Sequence, residues 1–457
     1  MSESASAARS LVFRRPLSPP QLLASGMAGV IFVGTLLLAT PLSGAGGASV
    51  GWSAALFTAT SAVCVTGLIV VDTPTAFSGF GQAVVLLLIQ IGGLGYMTLS
   101  TLVAVALGRR VSMNEQHSLQ ESLNLSSRAD ILRFAMTVIK LTLAFECVGA
   151  AILMVRWWGS FGADAAWLGL FHSVSAFNNA GFSLFSNNLM DWRGDVVVNL
   201  TIMALVVSGG IGYLVLTELG RYRQTGSLSL HTKFVLLLTA ILIVGGTLVI
   251  LMTEGTNPAT LGAMDWPGAA LAAAFQSVTT RTAGFNTLDM GALQPATHFV
   301  MLILMFIGAA PGGTGGGVKV STFGVTVLAL WATIRGMREP TVFWRRIPAD
   351  LVARAFFVSL IAFLAVNVVT GVLLVREHGD LLRTLFESVS AFGTVGLSTG
   401  VSGTPLSLSA AFSEGGRLLI CLLMFMGRIG PLTLAFALAS RRTPTRVRHP
   451  EGRVLIG

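Results

Sequence analysis

The sequence predicts an all-α membrane protein built from four copies of one helix, re-entrant loop, helix module, and three observations predict it. Hydrophobic residues make up 53% of the 457 residues and charged residues only 11%, a balance foreign to soluble chains of this length. Long apolar stretches recur, each sufficient for a hydrocarbon core of about 30 Å at about 1.5 Å rise per residue. Between them one short pattern returns four times: LFTATSAVCVTGL (Leu56 to Leu68), LFHSVSAFNNAGF (Leu170 to Phe182), AFQSVTTRTAGF (Ala274 to Phe285) and LFESVSAFGTVGL (Leu385 to Leu397). Its glycines, Gly67, Gly181, Gly284 and Gly396, recur at intervals of roughly 110 residues. Length alone would suggest about three soluble domains; repetition replaces that count with one membrane unit.

The apolar stretches lie near residues 21–42, 82–107, 131–155, 195–219, 233–253, 297–334, 351–375 and 415–440, eight in four pairs. Each pair encloses one glycine segment, preceded by an apolar half-helix too short to span. This gives module 1 at 21–110, module 2 at 111–230, module 3 at 231–340 and module 4 at 341–442, with tails at 1–20 and 443–457.

Charge sets the orientation. Most of the 29 lysines and arginines fall in the N-terminal tail (Arg9, Arg14, Arg15), the 108–133 loop, the 220–233 loop, the 335–354 loop and the C-terminal tail (Arg441 to Arg453). Basic loops face the cytoplasm, so both termini are expected there. The same clustering in alternate loops argues against a nucleic-acid partner despite the net charge of +9. The glycine-bearing loops then face outward with Asp72, Asp164, Asp191, Asp195, Asp265, Asp289, Glu377 and Asp380, a mildly acidic vestibule that would attract cations. The first apolar run follows basic residues as a signal peptide does, but it is too long and lacks a small-residue cleavage site, so it reads as the first helix. Cys64, Cys147 and Cys421 are scattered and suggest neither a disulfide framework nor a metal site.

Irregular backbone cannot face lipid, because each unpaired peptide group costs several kcal/mol there; it survives inside protein or along water. Four polar loops at membrane depth therefore imply an aqueous path. Val65-Thr66-Gly67, Asn179-Ala180-Gly181, Thr282-Ala283-Gly284 and Thr394-Val395-Gly396 combine small side chains with a glycine free to take unusual backbone angles. Their carbonyls could replace a cation's hydration shell. The half-helices, headed by Phe57, Phe171, Phe275 and Phe386, would point negative C-terminal ends at the same axis. Glycines of this kind also serve as helix-packing surfaces; four in register, each after a half-length helix, favour helix–pore-loop–helix modules around a central ion pathway.

These residues resemble the Trk/Ktr/HKT superfamily of potassium transporters, and within it the Ktr-type membrane subunit. The resemblance covers nearly the whole chain: the LSPPQLLASG opening (Leu17 to Gly26), the four glycine segments, IGGLGY (Ile91 to Tyr96), SGGIGY (Ser208 to Tyr213), APGGTGGGVK (Ala310 to Lys319) and MGRIGPLT (Met426 to Thr433). The first module is expected to open the chain, without the extra N-terminal helix pair of Trk-type subunits, which favours a Ktr-like over a Trk-like subunit. The resemblance implies a single-file path with the four glycines in a filter that binds K+. Members that pass sodium often carry serine in the first repeat, where this chain has Gly67. The third repeat is one residue shorter between Phe275 and Gly284, so some asymmetry is expected. By the same resemblance the subunit would form a homodimer in a bacterial cytoplasmic membrane, on a cytoplasmic ring of nucleotide-binding regulatory subunits; nucleotide would bind the ring and not this chain.

The stretch 297–334 is too long for one span and contains Gly308, Pro311, Gly312, Gly313, Thr314, Gly315, Gly316, Gly317 and Lys319. Proline removes a helix hydrogen bond and glycine weakens the helix, so a mid-membrane break is expected. It has neither the preceding strand nor the spacing of a phosphate-binding loop. The resemblance makes this loop the gate beneath the filter. Arg428 lies at a depth where a charge costs at least ~2.5 kcal/mol unless it meets water or a partner. Freed carbonyls of 308–317 would serve, and the arginine would repel cations from a closed path; the alternative is snorkelling to the cytoplasmic face. Lys319 either takes part in gating or, alternatively, pairs with an acid or snorkels. Arg281 reads as structural, tied to Asp289 or to carbonyls, and Glu387 and His172 as holding their half-helices.

The sequence therefore points to passive or cation-coupled potassium uptake and to no enzyme. The membrane potential supplies about 2.3 kcal/mol per charge per 100 mV, so ATP hydrolysis is unnecessary. The alternatives are a sodium-permeable or sodium-coupled transporter of the same fold, a membrane-embedded enzyme using 312–317, and a membrane scaffold.

Overall fold

A computed structural model describes residues 19–95, 128–337, 339–431 and 433–434. The expectations for most of the N-terminal tail, for 96–127 and for the C-terminal tail lie outside these residues. Along the described chain one order of elements returns four times: a long helix, a short buried helix, and a second apolar helix that stops early.

The long helices are α1 (Pro19–Leu38), α4 (Arg128–Phe161), α8 (Leu230–Glu254) and α12 (Ala349–Glu377). Among the described residues these four are long and apolar enough to cross a membrane, and only 28% of each one's most apolar stretch is buried. Their outer faces carry Phe32, Val155, Met252 and Phe363, all exposed and suited to lipid. The buried polar residues concentrate on the short helices α2 (Trp52–Val63), α5 (Asp164–Phe177), α9 (Trp266–Thr279) and α13 (Leu381–Gly393). Phe57, Phe171, Phe275 and Phe386 are each at most 2% exposed and wedge these helices inside the bundle.

The second helices are α3 (Gly79–Leu94), α6 (Val196–Gly210), α10 (Pro295–Phe306) and α14 (Glu414–Ile429). In lipid, helix association depends on close packing rather than on the hydrophobic effect. A methyl group on Gly92, Gly209 or Gly427 would stand 2.1, 1.8 or 1.8 Å from the carbonyl oxygens of Val63, Phe177 and Phe392. These glycines let α3, α6 and α14 lie backbone to backbone against the ends of α2, α5 and α13.

Two sequence expectations change here. The stretch 195–219 is not one span: α6 ends at Gly210 and α7 (Tyr213–Thr225) leaves at 101°. Gly212 makes the corner at φ +91°, and a methyl there would stand 2.7 Å from the Pro311 carbonyl oxygen. The stretch 415–440 is interrupted as well: Gly430 at φ +94° ends α14, helix resumes at Pro431, and 435–440 lies outside the described residues. The stretch 297–334 breaks between α10 and α11 (Val320–Ile334), leaving 307–319 irregular. A short hairpin, β1 (Thr341–Val342) with β2 (Arg345–Arg346), precedes α12.

Candidate functional site

The four glycine segments converge. A methyl on Gly67 would lie 2.4 Å from the Ala180 carbonyl oxygen, one on Gly181 2.7 Å from that of Ala283, one on Gly284 2.3 Å from that of Val395, and one on Gly396 2.2 Å from that of Thr66. Each glycine thus abuts the residue preceding the glycine of the next repeat, and the fourth returns to the first. The result is a closed ring in sequence order with no room for a side chain at any of its four glycines.

The backbone signs repeat around the ring. Val65, Asn179, Thr282 and Thr394 have φ of +56°, +59°, +69° and +48°, and the glycines two residues later +90°, +69°, +78° and +93°. The intervening N–H groups of Thr66, Ala180, Ala283 and Val395 turn back to their half-helices, donating to the carbonyls of Ser61, Ser175, Thr279 and Ser390 at 2.7–3.0 Å. No backbone hydrogen bond among the described residues ends on the carbonyls of Thr66, Ala180, Ala283 or Val395.

The side chains of the same four half-helix residues brace the loops, a role sequence reasoning missed. Gly67 N donates to Ser61 Oγ at 3.0 Å and Gly396 N to Ser390 Oγ at 3.1 Å. Ser175 Oγ donates to Phe182 O at 2.8 Å and Thr279 Oγ1 to Phe285 O at 2.6 Å. The signal was present: a hydroxyl stands four residues after each leading phenylalanine. The deletion in the third repeat falls between Thr279 and Thr282, so the ring keeps its backbone signs.

A funnel of about 920 Å³ opens on one side of the ring, walled by the segments following each glycine. Asp72, Asp289 and Arg383 line it. Asp72 Oδ2 accepts from Thr75 Oγ1 and Ser186 Oγ, both at 2.7 Å. Other acids grouped with them in the sequence hold structure instead. Asp195 caps α6 and pairs with Arg156 at 2.5 Å, Asp380 caps α13, and Glu377 accepts from Ser413. Glu387, fully buried, accepts from Ser398 Oγ at 2.6 Å and from Ser409 N at 2.9 Å. His172 is buried between Leu168 O and Ser183 Oγ, at 2.8 and 3.0 Å.

On the other side lies the irregular segment 307–319, stitched to three modules. Gly308 N donates to Val318 O at 2.8 Å and closes the segment on itself. Ala310 N and Thr314 N donate to Gly210 O and Gly209 O, Tyr213 N to Gly312 O, and Gly317 N to Gly427 O. Thr314 Oγ1 donates to Phe177 O at 3.2 Å. The Arg428 guanidinium donates to the carbonyls of Thr314 and Gly92, joining the segment to α3. Lys319 Nζ donates to Gly315 O at 2.6 Å, so its partner is a carbonyl of its own segment and not an acid. A cavity of about 160 Å³ between α1, α3 and this segment is lined by Gly92, Gly313, Gly315, Lys319 and Arg428. Arg281 lines a crevice with Val206, Thr239 and Ala309. The expected tie to Asp289 is not made: Asp289 Oδ1 accepts from Gly291 N at 2.8 Å, on the funnel side. Among the described residues no group of His, Cys, Asp and Glu could hold a metal ion in the manner of a resident cofactor.

The family model described as "TrkH: Cation transport protein" matches residues 29–443. The chain is 40% identical to the Ktr system potassium uptake protein B of Bacillus subtilis, covering 96% of this chain and 97% of the relative. It is 37% identical to the protein of the same name from Vibrio alginolyticus, over 96% and 95%, and 34% identical to the potassium/sodium uptake protein NtpJ of Enterococcus hirae, over 97% and 98%. In fold it matches the crystal structure of the potassium transporter TrkH from Vibrio parahaemolyticus with a TM-score of 0.73, over 94% of this chain and 86% of that one, at 17% identity.

Proposed function

Because the chain belongs to the TrkH family of cation transport proteins, we propose that it is the ion-conducting subunit of a potassium uptake system, with the glycine ring as its filter and segment 307–319 as its gate. It is a multi-pass membrane transporter and not an enzyme. The observation that carries the proposal is the closed ring of Gly67, Gly181, Gly284 and Gly396. With the neighbouring N–H groups bonded to the half-helices, the carbonyls of Thr66, Ala180, Ala283 and Val395 are left to replace water around a dehydrated K+. Four half-helix C-termini add their negative dipole ends. The four modules, 21–110, 111–230, 231–340 and 341–442, would then surround one axis, with the funnel outward and both termini cytoplasmic.

Segment 307–319 closes the opposite end of this path. Its bonds to Gly209, Gly210 and Gly427 and the Arg428 link hold it across the mouth, and the guanidinium places a positive charge where a cation would pass. Two relatives are named as protein B of a Ktr system, which supports a partner subunit; the family resemblance supports a homodimer of this chain on a cytoplasmic nucleotide-binding regulatory ring. The relatives also keep a second reading in view, since one is named for potassium and sodium. Glycine in all four ring positions supports potassium selectivity over that reading.

The test is potassium and sodium uptake in a potassium-uptake-deficient bacterium expressing the chain with a regulatory partner, beside a variant lacking 312–317. Potassium-selective uptake, ungated in the deletion, is the expected result. A wild-type chain at normal membrane abundance that carries no potassium would overturn the proposal.

A further inference from the structure

Four residues occupy the same place in the ring, two positions before each glycine: Val65, Asn179, Thr282 and Thr394. All four have positive φ, which is a genuine outlier for a β-branched residue and persists only where its surroundings fix it. Two of the four meet segment 307–319. Gly316 N donates to Thr394 Oγ1 at 3.1 Å. Gly315 lies so close to Thr282 that a methyl on it would stand 2.0 Å from Thr282 Oγ1. The Thr282 hydroxyl is also hydrogen-bonded to the Asn179 side-chain amide at 3.2 Å. At the first position Val65 has no hydroxyl to offer.

We propose that Thr394 is a latch between filter and gate: its hydroxyl holds the Gly316 N–H while segment 307–319 blocks the path, and is released to face the ion when the segment withdraws. This inference rests on the reading of 307–319 as the gate. The chemistry is that of one buried neutral hydrogen bond. In the closed form the hydroxyl oxygen accepts from Gly316. Once that donor leaves, its lone pairs are free for a partly dehydrated cation at the inner end of the ring. Opening and ion occupancy at that point therefore favour one another, and such coupling is reciprocal. The latch is one-sided, since only the fourth repeat supplies the hydrogen bond while the third supplies a steric fit.

The ring contains its own control. Valine at the first position already takes φ +56°, so Thr394→Val places there a residue the ring is known to accept, with the same shape and no hydroxyl. The experiment is K+ flux into proteoliposomes containing the full chain without its regulatory partner, for wild type, Thr394→Val, Thr394→Ser and the 312–317 deletion, at equal reconstituted protein. Thr394→Val is expected to raise this basal flux roughly two- to tenfold, the factor one neutral hydrogen bond carries. Thr394→Ser, which keeps the hydroxyl, should stay well below Thr394→Val, and the deletion should exceed both. If Thr394→Val flux does not rise while the deletion still raises it, the latch is overturned and the gate reading stands. Thr394→Ser as leaky as Thr394→Val would overturn it as well, because the methyl and not the hydroxyl would then matter. A deletion without raised flux removes the gate and the latch together.

Discussion

Replacing Gly67 by serine places a side chain where the first repeat of the ring has no room for one. The residue has φ +90°, and a Cβ there would lie 2.4 Å from the Ala180 carbonyl oxygen and 3.1 Å from the Gly181 Cα. The backbone angle alone costs a side-chain-bearing residue roughly 1–2 kcal/mol. The overlap cannot be relieved by rotating a side chain, because both neighbours are backbone. The first and second segments must separate by about 1 Å before the contact resembles an ordinary one. That displacement removes one of four carbonyls from its distance to the ion, and a ring that fitted K+ becomes looser or lopsided. If the mismatch costs K+ about 1–2 kcal/mol relative to Na+, the ratio of K+ to Na+ uptake falls roughly 5- to 30-fold. Paired K+ and Na+ uptake in the deficient strain, with membrane abundance fixed by immunoblot, reads this ratio directly. An unchanged ratio at equal abundance would refute the claim that these four glycines line the path.

Three further outcomes follow from the same geometry. Arg428→Gly removes the donors to Thr314 O and Gly92 O; with hydrogen bonds to charged groups worth about 1.5–3 kcal/mol, flux without the regulatory partner should rise tenfold or more in proteoliposomes. Ser390→Ala removes the hydroxyl that accepts from Gly396 N at 3.1 Å, a loss of about 1 kcal/mol. It should show as a smaller K+-induced rise in the thermal unfolding midpoint of the detergent-solubilised protein, since a bound ion stabilises in proportion to its affinity. Gly212→Ala meets both a positive φ of +91° and the Pro311 carbonyl at 2.7 Å, so it should lower the unfolding midpoint and leave the K+ to Na+ uptake ratio intact, because the corner lies away from the ring.

What the sequence made legible was whatever depends on local chemistry. A repeated glycine after a polar half-helix marks itself, and so does a proline with five glycines in an apolar stretch, because neither has another stable place in hydrocarbon. The corner at Gly212 was not legible. Gly209, Gly210 and Gly212 in an apolar run look like packing glycines, and what ends the helix is a segment from another module, with Ala310 N on Gly210 O and Gly312 O taking Tyr213 N. The loop acids divide in a way the sequence does not show. Asp195 and Asp380 precede helices and cap them, while Asp72 and Asp289 line the funnel. The bracing hydroxyls of Ser61, Ser175, Thr279 and Ser390 stood in one column of the repeat. Their role emerges only when the loop folds back across its own half-helix.

The four copies also differ at the ends of their second helices. Second helices one, two and four end in Gly92-Gly93-Leu94-Gly95, Gly209-Gly210-Ile211-Gly212 and Gly427-Arg428-Ile429-Gly430. The first glycine of each lies against a half-helix end, and the last has positive φ and stops the helix. Stopping a helix frees carbonyls, and at membrane depth those need donors. Backbone N–H groups of 310, 314 and 317 supply donors at Gly210, Gly209 and Gly427. The Gly92 carbonyl accepts from Gly95 N of its own turn, and its donor from outside that turn is a side chain long enough to reach it, Arg428. An arginine in the second position of the fourth copy is thus tolerable for the same reason that it is useful. The carbonyls of Thr314 and Gly92 solvate its charge, and in accepting from it they tie segment 307–319 to α3, which no backbone hydrogen bond of that segment reaches among the described residues.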